Sequence, residues 1–405
     1  IRYPPKILQT KLQLPIKTLA SPGPTNCSKR VLQSLQNQII GHLHPEICQL
    51  MDEIKEGLQY VFQTNNRLTL ALSASGHGGM EACLTNLLEP GETVLIVKHG
   101  MWGERAADMA TRIGANVKLI EKEHTIAVTL KQLETALQMY NPVAVFMVQA
   151  ESSTGLKQPL EGNSSRYNAL LIVDTVASLC GEPFFMDSWG IDAVYSGSQK
   201  VLGAPPGLAP ISFSPRAELR SPRLLTKTKP MSYYLDMTLL GNYWKCFGNE
   251  NRLYHHTISA TLIYGLREAL AEIADEGLQA SWIRHAGAAA RLRKGLELRR
   301  LRSYVKIPQY QLSTIILIEL PPGVDDRIIV QHHYGFYRYK VDISRGLGST
   351  EGKILRIGLL GINATPNKVD HILRLVEITN DSSGLTINYD LIDNRFGIVQ
   401  NITIF

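Results

Sequence analysis

From about residue 68 to residue 215, short runs rich in β-branched residues alternate with helical patterns, and few folds accommodate that alternation. The runs cover residues 93–97, 117–120, 143–148, 170–174, 193–196 and 210–213. They are apolar on both faces, as strands covered on two sides must be. Stretches such as 102–113 and 130–139 carry the helical spacing needed to cover them. The expected fold is α/β, with a mainly parallel, doubly wound sheet. In such sheets ligands gather at the carboxyl ends of the strands, where the loops are free to vary.

Beyond about residue 250 the pattern changes. Helices are expected near 259–275 and 282–301, strands at 314–319 and 354–359, and a closing helix near 367–377, a smaller α+β arrangement. The segment after Asn380 has no clear periodicity and reads as a loosely attached, irregular tail. With 405 residues and 44% hydrophobic content the chain can bury a core large enough for two domains.

Charge and cysteine usage exclude several function classes. The 42 Lys and Arg against 36 Asp and Glu are spread out, with no basic stretch interleaved with aromatics, so no nucleic-acid partner is expected. No apolar run approaches the ~18 residues of a membrane span and no signal segment opens the chain; the expectation is a soluble, intracellular protein. Cys27, Cys48, Cys83, Cys180 and Cys246 show neither CxxC nor His-linked spacing, and are expected to be reduced and to hold no metal.

Lys200 stands between the apolar run ending at Tyr195-Ser196 and the rigid stretch Gly203-Ala204-Pro205-Pro206-Gly207. A partly shielded lysine there can lose its proton near neutral pH and attack a carbonyl, as a Schiff-base lysine does. Taken alone it reads as a surface lysine leaving a strand, since most lysines are solvated. Its neighbours decide the matter. Asp174 ends the run 170–174, so its carboxylate is delivered to the ligand edge, where it suits a buried cation or caps the following turn. Ser75, Gly76 and His77, within a Gly-rich turn before the helical stretch 80–88, leave backbone N–H groups free for a phosphate or form a plain turn. Trp102 follows the run 93–97, placed to stack on a flat ligand or to cover the sheet end. Arg356, in the strand 354–358, suits a carboxylate from a substrate or from an internal ion pair.

Five stretches together carry a resemblance: Ser196-Gly197-Ser198-Gln199-Lys200 with Ala204-Pro205-Pro206-Gly207, Glu151-Ser152-Ser153-Thr154-Gly155, Val173-Asp174-Thr175-Val176-Ala177-Ser178, Tyr254-His255-His256-Thr257 and Leu355-Arg356-Ile357-Gly358. From about residue 13 to 379 the chain resembles the alanine–glyoxylate (serine–pyruvate) aminotransferases, class V enzymes of fold type I that use pyridoxal 5'-phosphate. The resemblance implies that Lys200 links to the cofactor, that Asp174 pairs with its pyridine nitrogen, and that Trp102 and Val176 sandwich the ring. Ser75, Gly76, His77 and Gln199 would surround the phosphate or the ring substituents, and Ser152 the ring hydroxyl or the substrate. Arg356 would hold the substrate carboxylate, with Gly23 also in the substrate pocket. Tyr254 and Thr257 would reach the partner's phosphate in a homodimer.

The same resemblance divides the chain into an arm over 1–20, a large cofactor-binding domain over 21–250, a small domain over 251–380 and the tail 381–405. It implies ping-pong transfer from alanine or serine to glyoxylate, giving glycine and pyruvate or hydroxypyruvate, and a peroxisomal location, with mitochondrion or cytosol left open. Two alternatives stay open, a 3-hydroxykynurenine transaminase and a catalytically impaired homologue. Gly41-His42 favours the alanine–glyoxylate branch over the first. Departures at Ser21, Ser313 and Arg345, and a shortening between Gly162 and Leu170, raise the second.

Overall fold

The computed structural model describes residues 2–161, 168–220, 229–248, 250–321, 340–375, 378–381 and 384–387. The shortening noted between Gly162 and Leu170 therefore falls largely outside the described residues. After a helix α1 (Pro45–Phe62), the chain alternates β1 (Leu68–Leu72), α2 (Gly76–Leu87), β2 (Thr93–Lys98), α3 (Met101–Ile113), β3 (Asn116–Glu121), α4 (Leu130–Tyr140) and β4 (Ala144–Val148). It then adds β5 (Leu170–Asp174), β6 (Ala193–Tyr195) and β7 (Ala209–Phe213). The seven strands form one sheet in the order β1-β7-β6-β5-β4-β2-β3. β1, β4, β5, β6 and β7 are buried along their whole length, as strands covered on both faces must be.

The sheet departs from an all-parallel one at β7, which runs antiparallel to both β1 and β6. No helix lies between β6 and β7, and a parallel return needs a crossover. Helix α2 also begins earlier than its apolar spacing suggests. Gly76 to Gly79 already form its first turn, so the Gly-rich segment is a helix start and not a separate turn.

Beyond the sheet come α5 (Ala260–Glu276), α6 (Leu278–Leu298), β8 (Ile315–Glu319), β9 (Ser344–Arg345), β10 (Ile354–Gly358) and α7 (Pro366–Leu375). The strands pair antiparallel in the order β8-β10-β9. Alternation along these strands divides their side chains between two cores. Ile316, Ile318, Leu355 and Ile357 pack with Leu292, Leu296, Val369 and Ile372. Ile315, Leu317 and Ile354 join the core of the large sheet instead. Arg356 shares the parity of Ile354 and so faces the large sheet, a direction that decides its role.

The segment after Asn380 is not wholly irregular. β11 (Ile378–Asp381) and β12 (Gly384–Ile387) pair antiparallel. The signal for this hairpin was present: β-branched residues flank Asp381-Ser382-Ser383-Gly384, a run of turn-forming residues.

Candidate active site

The parallel strands place their carboxyl ends side by side, and a pocket opens there. β6 leads to Gln199 and Lys200, β5 ends in Asp174 and continues to Val176 and Ala177, and β4 leads to Ala150 and Ser152. β2 leads to Trp102, and β1 to Ser75, Gly76 and His77. β6, β5, β4 and β2 are successive in the sheet, with strands about 4.8 Å apart, so residues up to a hundred positions apart in sequence become neighbours.

Lys200 reaches into this pocket, and its Nζ donates to the carbonyl of Pro22. Burial pushes its pKa down to about 8; the positive Arg356 lowers it further and Asp174 partly opposes the shift. A useful fraction of the amine is therefore neutral close to physiological pH. Gly23 lies directly against Lys200. A Cβ there would collide with the Lys200 side chain, and its φ of +122° is one that glycine alone adopts readily.

Asp174 and Tyr195 are partners in the register of β5 and β6. Tyr195 Oη donates to Asp174 Oδ2 at 2.5 Å, and the Val176 amide donates to Oδ1 at 2.7 Å. Burial raises the Asp174 carboxyl to about 6, the bonds from Tyr195 and Val176 holding it below where burial alone would take it. Tyr195 sits under α2, where Gly79 allows a close approach, since a Cβ at that position would meet Tyr195 Cβ at 2.9 Å. No motif in the sequence marks Tyr195 for a role. Its signal is that of a hydroxyl at the end of an otherwise apolar strand, one residue before the loop that carries Lys200.

Trp102 donates its indole N–H to Ser152 Oγ at 2.6 Å. The His77 ring meets the indole edge-on at 5.3 Å, and the Arg105 guanidinium lies 5.1 Å from its centroid. Glu151, also without an assigned role in the sequence reading, is 1% exposed, and burial lifts its carboxyl to about 7. At the start of α2 the N-cap residue Ser75 makes no side-chain cap bond, which leaves the first N–H groups of the helix uncapped by it. Gln199 Oε1 is buried and unpartnered among the described residues.

Four of the expected residues do not line this pocket: Gly23, which lies against Lys200, Arg356, Tyr254 and Thr257. Arg356 is buried beside the pocket, with Nε donating to the Arg345 carbonyl at 2.7 Å and Nη1 to the Ser152 carbonyl at 3.3 Å. Burial lowers its pKa to about 10, and no ion pair accounts for it among the described residues; the alternative of an internal salt bridge is not realised there. Tyr254 is 56% exposed, with its hydroxyl 3.3 Å from Thr257 Oγ1, and neither lines the pocket of its own chain. Of the departures, Ser21 is buried and its carbonyl fills the space a Cβ on Gly358 would need. The Arg345 guanidinium pairs with Glu351 at 3.4 Å, and Ser313 donates its amide to Glu182 at 2.5 Å. None of the three lines the pocket.

All five cysteines are free, and among the described residues no helix is long and apolar enough to cross a membrane. The pocket thus combines an amine available for attack on a carbonyl, a carboxylate suited to a cationic ring nitrogen, an aromatic wall and a helix start suited to an anion.

Residues 18–332 match the family Aminotransferase class-V. An alanine–glyoxylate aminotransferase of Drosophila melanogaster is 46% identical over 392 residues, covering 96% of this chain and 98% of the fly protein. One from Felis catus is 48% identical, covering 92% of this chain and 90% of its own. The crystal structure of an alanine–glyoxylate aminotransferase from Nostoc sp. superposes with a TM-score of 0.86 at 40% identity, covering 92% of this chain and 98% of its own. Family and fold together imply pyridoxal phosphate as cofactor. The chain is an aminotransferase of the class-V family, with the fold of the type I pyridoxal-phosphate enzymes.

Proposed function

We propose that this enzyme transfers the amino group of alanine, or of serine, to glyoxylate, releasing pyruvate or hydroxypyruvate and forming glycine. The observation that carries the reading is the convergence of Lys200, with its depressed pKa, and the buried Asp174 in one pocket. The relatives at 46–48% identity, all named alanine–glyoxylate aminotransferases, support the substrate pair over 3-hydroxykynurenine. The intact pocket speaks against an impaired homologue.

The residues fit pyridoxal phosphate. Lys200 supplies the amine, Asp174 an acceptor for the pyridinium proton, Trp102 and Val176 two apolar walls, and Ser75, Gly76 and His77 a helix start for the phosphate. The unpartnered Gln199 Oε1 marks a polar position still to be satisfied, near the phosphate or a ring substituent. When bound, the cofactor supplies an electron sink for the charge left at the substrate Cα. With the cofactor bound, the Lys200 amine would be the base that takes the substrate Cα proton and the acid that returns it. Asp174 keeps the ring nitrogen protonated. Arg356 binds the substrate carboxylate, and Ser152 contacts the ring hydroxyl or the substrate. Trp102 keeps water off one ring face, and Gly23 leaves room for the lysine to move.

Tyr254 and Thr257, exposed and clear of their own pocket, reach the phosphate bound by a second copy, so the active unit is a homodimer. The resemblance favours a peroxisomal location over the mitochondrion or cytosol, which imaging of the tagged chain tests. A panel of amino donors and oxo acids with purified enzyme tests the function: alanine with glyoxylate should be the fastest pair. Faster turnover of 3-hydroxykynurenine would overturn the substrate assignment.

A further inference from the structure

Met101 and Trp102 open α3, yet Gly100 before them has no side chain with which to cap the helix. The caps come from residues 151–153, on the loop after β4. Ser153 Oγ accepts from the Met101 amide at 3.1 Å, and Glu151 Oε2 accepts from the Trp102 amide at 3.2 Å. Glu151 Oε1 in turn accepts from the Ser153 hydroxyl at 2.5 Å and the Ser153 amide at 3.1 Å. The absence of a Cβ on Gly100 is what allows this, since one would overlap both Ser153 Oγ and the Glu151 carboxyl.

The residue between them extends the device. Ser152 accepts the Trp102 indole N–H through its hydroxyl and an Arg356 N–H through its carbonyl. Three consecutive residues thus fix both the backbone and the ring of Trp102, and touch the arginine on the other side. A buried carboxylate is costly, and an uncharged acceptor would cap a helix at less expense. Glu151 therefore calls for a reason beyond the stability of α3.

We propose that Glu151 and Ser153 are positioning residues that set the plane of Trp102 for the cofactor, through a cap supplied to α3 from a separate loop. The inference rests on the reading that Trp102 stacks on the cofactor, and the test separates the two. Cofactor dissociation constants are measured by titrating apoenzyme with pyridoxal phosphate, for Glu151→Gln, Ser153→Ala, Trp102→Ala and the double variants carrying Trp102→Ala.

Glu151→Gln keeps one oxygen where the carboxylate uses two and turns an NH2 toward a donor, so it is expected to weaken binding about tenfold, the scale of a lost helix cap, and Ser153→Ala by less. On the Trp102→Ala background either change should add less than about twofold, because the group being positioned is gone. Near-ultraviolet circular dichroism of apo Glu151→Gln should lose indole signal that Trp102→Ala also lacks. Should Glu151→Gln fail to fold, Ser153→Ala carries the same cycle. Unchanged affinity in Trp102→Ala would sink the stacking reading and the proposal with it. A normal loss in Trp102→Ala, with Glu151→Gln either harmless or equally damaging on both backgrounds, would leave stacking intact and overturn the proposal alone.

Discussion

Tyr195 donates its phenolic O–H to Asp174 Oδ2 at 2.5 Å, between two strands whose register makes these residues direct neighbours, and both groups are buried. The bond favours the charged carboxylate against the desolvation that raises it. Tyr195→Phe should therefore lift Asp174 above its value of about 6, by about one unit for a lost bond to a charged group. The titration of Asp174 in the cofactor-free protein, followed by carboxyl carbon NMR, should move upward by a similar amount. An unmoved titration would mean that the phenol does not tune this carboxyl.

Asp174 bears on stability as well as chemistry. Its folded pKa of about 6 exceeds the ordinary 3.8, so the folded protein holds a proton that the unfolded chain has already lost. Its contribution thus makes the cofactor-free protein less stable as pH rises from about 4 to about 6. Asp174→Asn removes that cost. Apo Asp174→Asn should be more stable than the parent at about pH 8, by on the order of 3 kcal/mol, with the difference vanishing near pH 4. Denaturant unfolding at the two pH values measures it.

Lys200 is expected to govern the capture of cofactor by apoenzyme. Only the neutral amine attacks, and burial beside Arg356 brings its pKa to about 8. The rate of appearance of the visible absorbance band after mixing should climb as pH rises and level off above about 8. Lys200→Ala should show no such phase. A climb continuing toward 10.5 would indicate an ordinary, solvated lysine.

Sites shared between subunits make a distinctive prediction. In a heterodimer of Lys200→Ala and Tyr254→Ala chains, one site has lost both residues and the other has lost neither. If each variant alone is nearly inactive, co-refolding equal amounts should restore about a quarter of wild-type activity, since random pairing gives half heterodimers, each with one intact site. No recovery would place Tyr254 outside the partner's site.

Much of the fold was legible because alternation of apolar runs and helical stretches is a strong signal, and the strand ends at Asp174 and Tyr195 coincide with the end of each apolar run. The direction of β7 was not, because side-chain periodicity carries no information about direction; the missing crossover does. The hairpin β11–β12 is too short to stand out by period alone. Lys200, Asp174 and Trp102 were legible as strand-end residues. Glu151 and Tyr195 were less so, because their roles come from bonds to residues 49 and 21 positions away. Tyr254 and Thr257 came from resemblance alone, and a single chain gives them no ligand to touch.

The central claim is tested most directly by a half-reaction. Enzyme loaded with pyridoxal phosphate is mixed with alanine in the absence of any oxo acid, and pyruvate is counted per subunit. The account predicts one equivalent of pyruvate per subunit, then one of glycine when glyoxylate follows, and neither from Lys200→Ala. Absence of pyruvate from the parent enzyme, or an equal yield from Lys200→Ala, would contradict it.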